Sequence, residues 1–374
     1  MTAVTTSTAS PAGAAPPGTA RRERVRDLLR EAGLDALLVS APSNVRYLTG
    51  FTGSNGAVVV AQDADGDRLV TDFRYRTQVE TECPGIDVVI DRGVVLGGAA
   101  YATGAGLSRL GFEAEHLTVS LHAAVQAAHR DLGLTATSGL VEGLRVVKDD
   151  AELAALAEAC RISDAALADL LPQVRPGLTE RELARRLEAL MLDHGAEAVS
   201  FDSIVAAGPH SAIPHHSPTD RPVEAGDLLK IDFGALSAGY HADETRTFVV
   251  GRPPAAWQSE LHALVAEAQR AGVAALGVGA GLRDVDHAAR SVIAAAGHAE
   301  HFGHGLGHGV GLDIHEAPMI GYAADGILVD RTPVTVEPGV YLPGRGGVRI
   351  EDTLVVRTGG PVSLTTTTRE LLVL

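Results

Sequence analysis

The chain has 374 residues, 45 % of them hydrophobic and 21 % charged, with a formal net charge of −16. That composition supports ordinary folded cores in about two domains, and the acidity argues against partners that present phosphate, whether nucleic acid or anionic membrane. Two cysteines, Cys83 and Cys160, lie far apart and outside any CxxC pattern, which excludes a disulfide framework and a zinc ribbon and fits a reducing, cytoplasmic compartment.

Residues 1–20 are rich in Thr, Ala, Pro and Gly and lack the basic start and apolar centre of a secretory signal, so they read as a disordered tail. No run of 18 apolar residues occurs, and no transmembrane helix is expected. Residues 21–33 carry a helix pattern, with Val25, Leu28 and Leu29 on one side and Gly33 as a C-cap. Strands are expected at 36–40, 56–61 and 68–72, the last two separated by turn residues between Asp63 and Asp67, and again at 87–90 and 110–113. Strands alternating with helices predict an α/β N-terminal domain over 21–145. A long helix over 149–172 opens on Asp149-Asp150, where acids complement the exposed N–H groups. A second helix starts at Thr179, which forms a T-x-x-E capping box with Glu182.

The second domain, 146–374, contains an internal similarity. GLTERELARRLEALMLDHGAE (177–197) and GLRDVDHAARSVIAAAGHAE (281–300) both open on Gly-Leu, carry Ala-Arg about eight positions later and close on Gly near an acid. Each precedes a Gly/His-rich stretch and then strands, which predicts a weak two-fold repeat.

Five segments of this domain concentrate carboxylates and histidines in strand-like or glycine-rich sequence. They are LLKIDFGAL with Asp232, YHADETRTFVV with Asp243, HFGHGLGHGVGLDIHE with His304, His308 and His315, PVTVEPGVYL with Glu337, and GVRIEDTLVV with Glu351. One acid behind an apolar strand approach would read simply as a hydrogen-bonded buried carboxylate. Four such acids beside a histidine cluster would repel one another and call for cations. Divalent ions with oxygen-rich ligation answer that need. Gly305, Gly307, Gly309 and Gly311 argue against a helix around His308, and the spacing is not HExxH.

These five segments resemble the pita-bread metallopeptidases, among them methionine aminopeptidase, Xaa-Pro aminopeptidase and prolidase. The family's metal centre uses two aspartates, a histidine and two glutamates in that order, and Asp232, Asp243, His308, Glu337 and Glu351 match all five. The resemblance implies that Asp243 and Glu351 bridge two divalent ions, with Asp232 on one ion and His308 and Glu337 on the other. Mn²⁺ is the first expectation, with Zn²⁺, Co²⁺ or Fe²⁺ as alternatives. SNVRYLTGFTGSNG (43–56) and TDFRYRTQ (71–78) resemble the small domain of Xaa-Pro peptidases and creatinase, and 141–160 resembles their inter-domain joint. The implied fold is a creatinase-like α/β N-terminal domain followed by an α+β pita-bread catalytic domain. Methionine aminopeptidase lacks the first domain, and creatinase lacks the ligands.

The same resemblance assigns further residues. His215 would sit near the substrate or leaving group, and His304 and His315 would contact the scissile carbonyl. Glu337 would double as general base, and Tyr341 and Arg349 would hold the centre and substrate in place. His216 is left as a spare. The implied activity is removal of the residue before proline from short peptides, by an aminopeptidase or, alternatively, an Xaa-Pro dipeptidase. Arg221 and Arg345 are candidates for binding a dipeptide carboxylate. A metal-free binding or scaffold protein of the same fold is the alternative of another class. A homodimer is expected from the resemblance alone.

Overall fold

The computed structural model describes residues 17–374. The chain divides into two compact units, Met1–Leu144 and Arg145–Leu374. Of the expected disordered tail, residues 1–16 lie outside the described residues. The first helix, Pro17–Ala32, begins four residues earlier than the pattern suggested. Proline is tolerated in a first helical turn, where its missing N–H would be unpaired anyway.

In the first unit, six strands form one mixed sheet. They are β1 (Ala36–Val39), β2 (Gly56–Ala61), β3 (Arg68–Thr71), β4 (Asp87–Ile90), β5 (Arg109–Glu113) and β6 (Gly133–Thr137), in spatial order β4-β3-β2-β1-β5-β6. The β1–β2 and β2–β3 pairs are antiparallel, and β3–β4, β1–β5 and β5–β6 are parallel. Every residue of β1 is buried, which is why its sequence is a continuous apolar run and not an alternation. The first helix buries Val25 and Leu29. It is tied to the turn after β2 by Asp67, whose carboxylate takes Arg22 Nε at 2.8 Å and Arg26 Nη2 at 2.5 Å.

The second unit is built twice from one plan: a long helix, a 14-residue helix and antiparallel strands. The first copy has helices Asp150–Leu170 and Glu180–Asp193 and strands Ile204–Ala207, Leu228–Phe233 and Glu244–Val249. Reciprocal capping boxes, Asp149 with Glu152 and Thr179 with Glu182, start both helices. The long helix stops at Leu170, short of the expected 172, and tightens into a 3₁₀ turn over Leu171–Gln173. Pro172 has no N–H to continue an α-helical ladder. The second copy has helices Ala256–Ala275 and Leu282–Ala295 and a sheet holding Gly307–Gly309, Glu316–Ile320, Pro333–Val336 and Asp352–Val355. The two segments read as a repeat fall on the two 14-residue helices. Each copy has its own core, Leu167, Leu183, Leu187, Ile231 and Phe248 in the first and Val265, Ala289, Ile293, Phe302 and Ile350 in the second. A β-bridge between Thr245 and Glu351 links the two copies. Among the described residues no helix is long and apolar enough to cross a membrane.

Candidate metal centre

The five expected ligands arrive on strands or at their ends. Asp232 is near the end of strand Leu228–Phe233, and Asp243 immediately precedes strand Glu244–Val249. His308 is the middle residue of Gly307–Gly309. Glu337 follows Pro333–Val336, and Glu351 lies between Gly346–Arg349 and Asp352–Val355. Antiparallel register sets Thr245 opposite Asp232, and the inter-copy bridge brings Glu351 to the same Thr245. The Thr245 hydroxyl donates to Glu351 Oε2 at 2.6 Å and accepts from Arg349 Nε at 3.0 Å. One side chain thus fixes an acid and the arginine beside it.

Glycine makes the histidine strand possible. A Cβ on Gly307 would lie 2.0 Å from the Thr335 carbonyl, and one on Gly309 would lie 2.3 Å from that of Ala317. No side chain fits at either place, so His308 can be threaded between two close strands. Its Nδ1 donates to the Gly309 carbonyl at 2.9 Å. The lone pair of Nε2 therefore faces the carboxylates, 3.5 Å from both Asp243 Oδ2 and Glu337 Oε1.

Ligand atoms of Asp243, His308 and Glu351 all lie within 4.8 Å of one another. Burial, then repulsion from Asp232 and Glu337, drives the Asp243 carboxyl well above its usual range. Burial and Asp243 do the same to Glu351. Burial pushes Glu337 up to about 8 and the His308 imidazole down to about 4. The second oxygen of Asp232, Oδ1, is buried without a hydrogen-bond partner, while Oδ2 takes Arg349 Nη2. Clustered acids that resist ionisation, an orphaned carboxylate oxygen and a neutral imidazole aimed inward are the donor set of divalent cations. The chemistry of these residues fits a metal centre.

The other expected residues surround it. Arg349 Nη1 donates to Tyr341 Oη at 2.8 Å, and that hydroxyl donates to His304 Nε2 at 2.9 Å, because His304 Nδ1 is committed to the Gly305 carbonyl. Burial raises the Tyr341 hydroxyl to about 12 and lowers His304 to about 4. The His315 ring meets His308 edge-on, with centroids 4.4 Å apart. Two cavities open on this array. One of about 330 Å³ is lined by His215, His315, Asp232, Asp243 and Glu351. The other, of about 980 Å³, is lined by His215, His304, Tyr341, Met319 and Tyr322. His308, Glu337 and Arg349 border both. Arg221 and Arg345 are elsewhere: Arg221 pairs with Asp227 at 2.7 Å, and Arg345 stacks 4.2 Å over Trp257.

His216 is not spare. Its ring is buried and its Nε2 donates to Glu180 Oε2 at 2.9 Å. Sequence reasoning also passed over Glu180 and Lys230. Glu180 reads as an ordinary first-turn acid complementing a helix dipole. Lys230 carried the better signal, a lysine in the centre of the apolar strand LLKIDF.

Residues 154–358 match the model of metallopeptidase family M24, and residues 21–147 match the creatinase/prolidase N-terminal domain. A solved Xaa-Pro dipeptidase from Bacillus anthracis is 40 % identical, with 96 % of this chain and 100 % of that one covered and a TM-score of 0.92. An X-Pro aminopeptidase from Thermotoga maritima is 35 % identical, with 94 % and 99 % covered and a TM-score of 0.88. An Xaa-Pro dipeptidase from Pyrococcus horikoshii is 32 % identical over 350 residues, 94 % of this chain and 98 % of its own.

Proposed function

The chain belongs to metallopeptidase family M24 and carries a creatinase/prolidase N-terminal domain; we propose that it is a dinuclear-metal exopeptidase that hydrolyses the Xaa-Pro bond at the N-terminus of short peptides. Relatives named for Xaa-Pro dipeptidase and X-Pro aminopeptidase activity support the proline specificity. In this reading Asp232, Asp243, His308, Glu337 and Glu351 hold two divalent ions, Mn²⁺ by preference in so carboxylate-rich a site. When bound, the ions supply Lewis acidity that polarises the scissile carbonyl and lowers the pKa of the attacking water.

The chain's own groups do the rest. Glu337 takes the proton of the attacking water, from a position bordering both cavities. His315 donates a hydrogen bond where charge develops on the carbonyl oxygen, and His304, whose ring nitrogens are held by the Gly305 carbonyl and the Tyr341 hydroxyl, lines the larger cavity where the substrate carbonyl would lie. The Tyr341 hydroxyl and Arg349 lock His304 and Asp232 in orientation. His215 faces both cavities and meets the substrate on the leaving-group side.

The observation that carries the aminopeptidase form is the larger cavity. Its rim includes Ile213, Met319 and Tyr322, each strongly exposed, and offers room for chain beyond proline. A dipeptidase needs a cation for the substrate carboxylate. Among the described lining residues the arginine is Arg349, already engaged by Asp232, Tyr341 and Thr245. Two buried, unpaired cysteines favour the cytoplasm as the compartment, and a homodimer belongs to the same reading. The test is a comparison of Ala-Pro with Ala-Pro-Ala cleavage in Mn²⁺. Faster tripeptide cleavage is expected, and cleavage of the dipeptide alone would replace the aminopeptidase with a prolidase.

A further inference from the structure

His215 borders both cavities, yet its ring is exposed, and among the described residues no hydrogen bond fixes that ring. Its position must come from its backbone. The residues on either side are held by two buried charged groups from different elements. Lys230, in strand Leu228–Phe233, is fully buried. Its Nζ donates to the carbonyls of Ile213 at 2.6 Å and Pro214 at 3.1 Å. Tyr341 covers it, with the ring centroid 5.1 Å from Nζ. Arg349 Nη1 is a second donor to the Pro214 carbonyl, at 3.2 Å.

On the far side of His215, Glu180 gathers the rest of the segment. Its Oε2 accepts from His216 Nε2 at 2.9 Å and from the Thr219 N–H and hydroxyl at 3.0 and 2.7 Å. Its Oε1 accepts from the Ala207 N–H at 2.8 Å and His210 Nδ1 at 2.9 Å. Glu180 is completely buried, and those donors hold its carboxyl below the usual range despite the burial. The Glu180, His210 and His216 trio has the spacing of a cation site. Its carboxylate is already committed to five donors, so it reads as a tether.

A lysine at the centre of a strand gives up its hydration for two neutral carbonyls, a costly arrangement for stability alone. We propose that Lys230 and Glu180 are positioning residues for His215: they clamp Pro214 and His216 from opposite sides and so aim the untethered ring between them into the cavities. This rests on the role given to His215 above.

The test is a set of double-mutant cycles on the Mn²⁺-loaded full chain with Ala-Pro-Ala as substrate. Lys230→Met and Glu180→Gln should each lower kcat/KM about tenfold or more, since a small misplacement at a reacting centre is felt strongly. In a His215→Ala background the same substitutions should change it less than about twofold, because coupled residues lose their effects together. Mn²⁺ content and melting temperature are measured on every variant, and Lys230→Gln, which keeps a donor, enters the same cycle if the methionine variant does not fold. A full loss on top of His215→Ala, or no loss in the wild-type background, would overturn the clamp and leave the reading of His215 intact. Wild-type activity in His215→Ala itself would overturn that reading and the clamp with it.

Discussion

Removing the metal should turn Glu337 from an anchor into a liability, with a cost that grows as pH rises. Without cations, burial raises its carboxyl from 4.5 to about 8. A group whose folded pKa lies above its unfolded value contributes stability that is fully present below the unfolded pKa and is lost as pH rises through the folded one. The window is therefore pH 4.5 to 8. Across its middle the folded state holds a proton that the unfolded state has released, so stability falls by about 1.4 kcal/mol per pH unit and by about 5 kcal/mol over the whole interval. Glu337→Gln keeps the shape and removes the titration. In excess chelator, the variant should gain on the wild type by about 2 kcal/mol between pH 6 and 7.5. Groups away from the cluster cancel in the comparison, and relief of the repulsion that Glu337 exerts on Asp243 and Glu351 favours the variant in the same direction. With Mn²⁺ restored the order should reverse, because the wild type keeps a ligand that the variant has lost. Urea unfolding at the two pH values, with and without metal, measures all four quantities. A chelated difference that does not change with pH would refute the argument.

Other perturbations have defined outcomes. Arg349→Met removes the partner of a buried Asp232 oxygen and the donor to Tyr341; Mn²⁺ affinity by calorimetry should fall about 10- to 100-fold, as for other groups that orient ligands. Burial lowers the His262 imidazole to about 4. This depressed folded pKa means that stability is intact above the unfolded value near 6.5 and is lost as pH falls toward 4, by up to about 3 kcal/mol; His262→Leu should flatten that part of the denaturation profile. Thr179→Ala removes the cap that accepts from the Glu182 N–H at 3.1 Å and should cost about 1 kcal/mol in urea unfolding, with kcat unchanged.

The residue types of the candidate centre were legible because divalent ions call for oxygen-rich ligands, and their chain order because it resembles that of a known family. Two aspartates eleven positions apart, one histidine among glycines and two late glutamates leave few alternatives. The repeat was legible for a related reason: each 14-residue helix must cover its own set of strands, so both carry the same apolar face. Element ends were less legible, since Pro17 starts a helix and Pro172 ends one. Both are proline effects, but the sequence pattern left the first in a disordered tail and carried the helix as far as the second. What stayed hidden was the support. Glu180, Thr245 and Lys230 act through hydrogen-bond partners up to 39, 106 and 17 positions away, distances set by strand register and loop return and not by any local pattern. His216 seemed idle for the same reason, its partner being on a helix that sequence reading treated only as a scaffold.

The measurement that bears most directly on the account is release of free alanine from Ala-Pro-Ala and from Ala-Ala-Ala. It is run on the metal-free chain, on the chain with Mn²⁺ restored, and on Asp243→Ala with Mn²⁺. The account predicts alanine from the proline peptide alone, only with metal, and none from the variant. Equal release from both peptides, or activity that survives in Asp243→Ala, would contradict it.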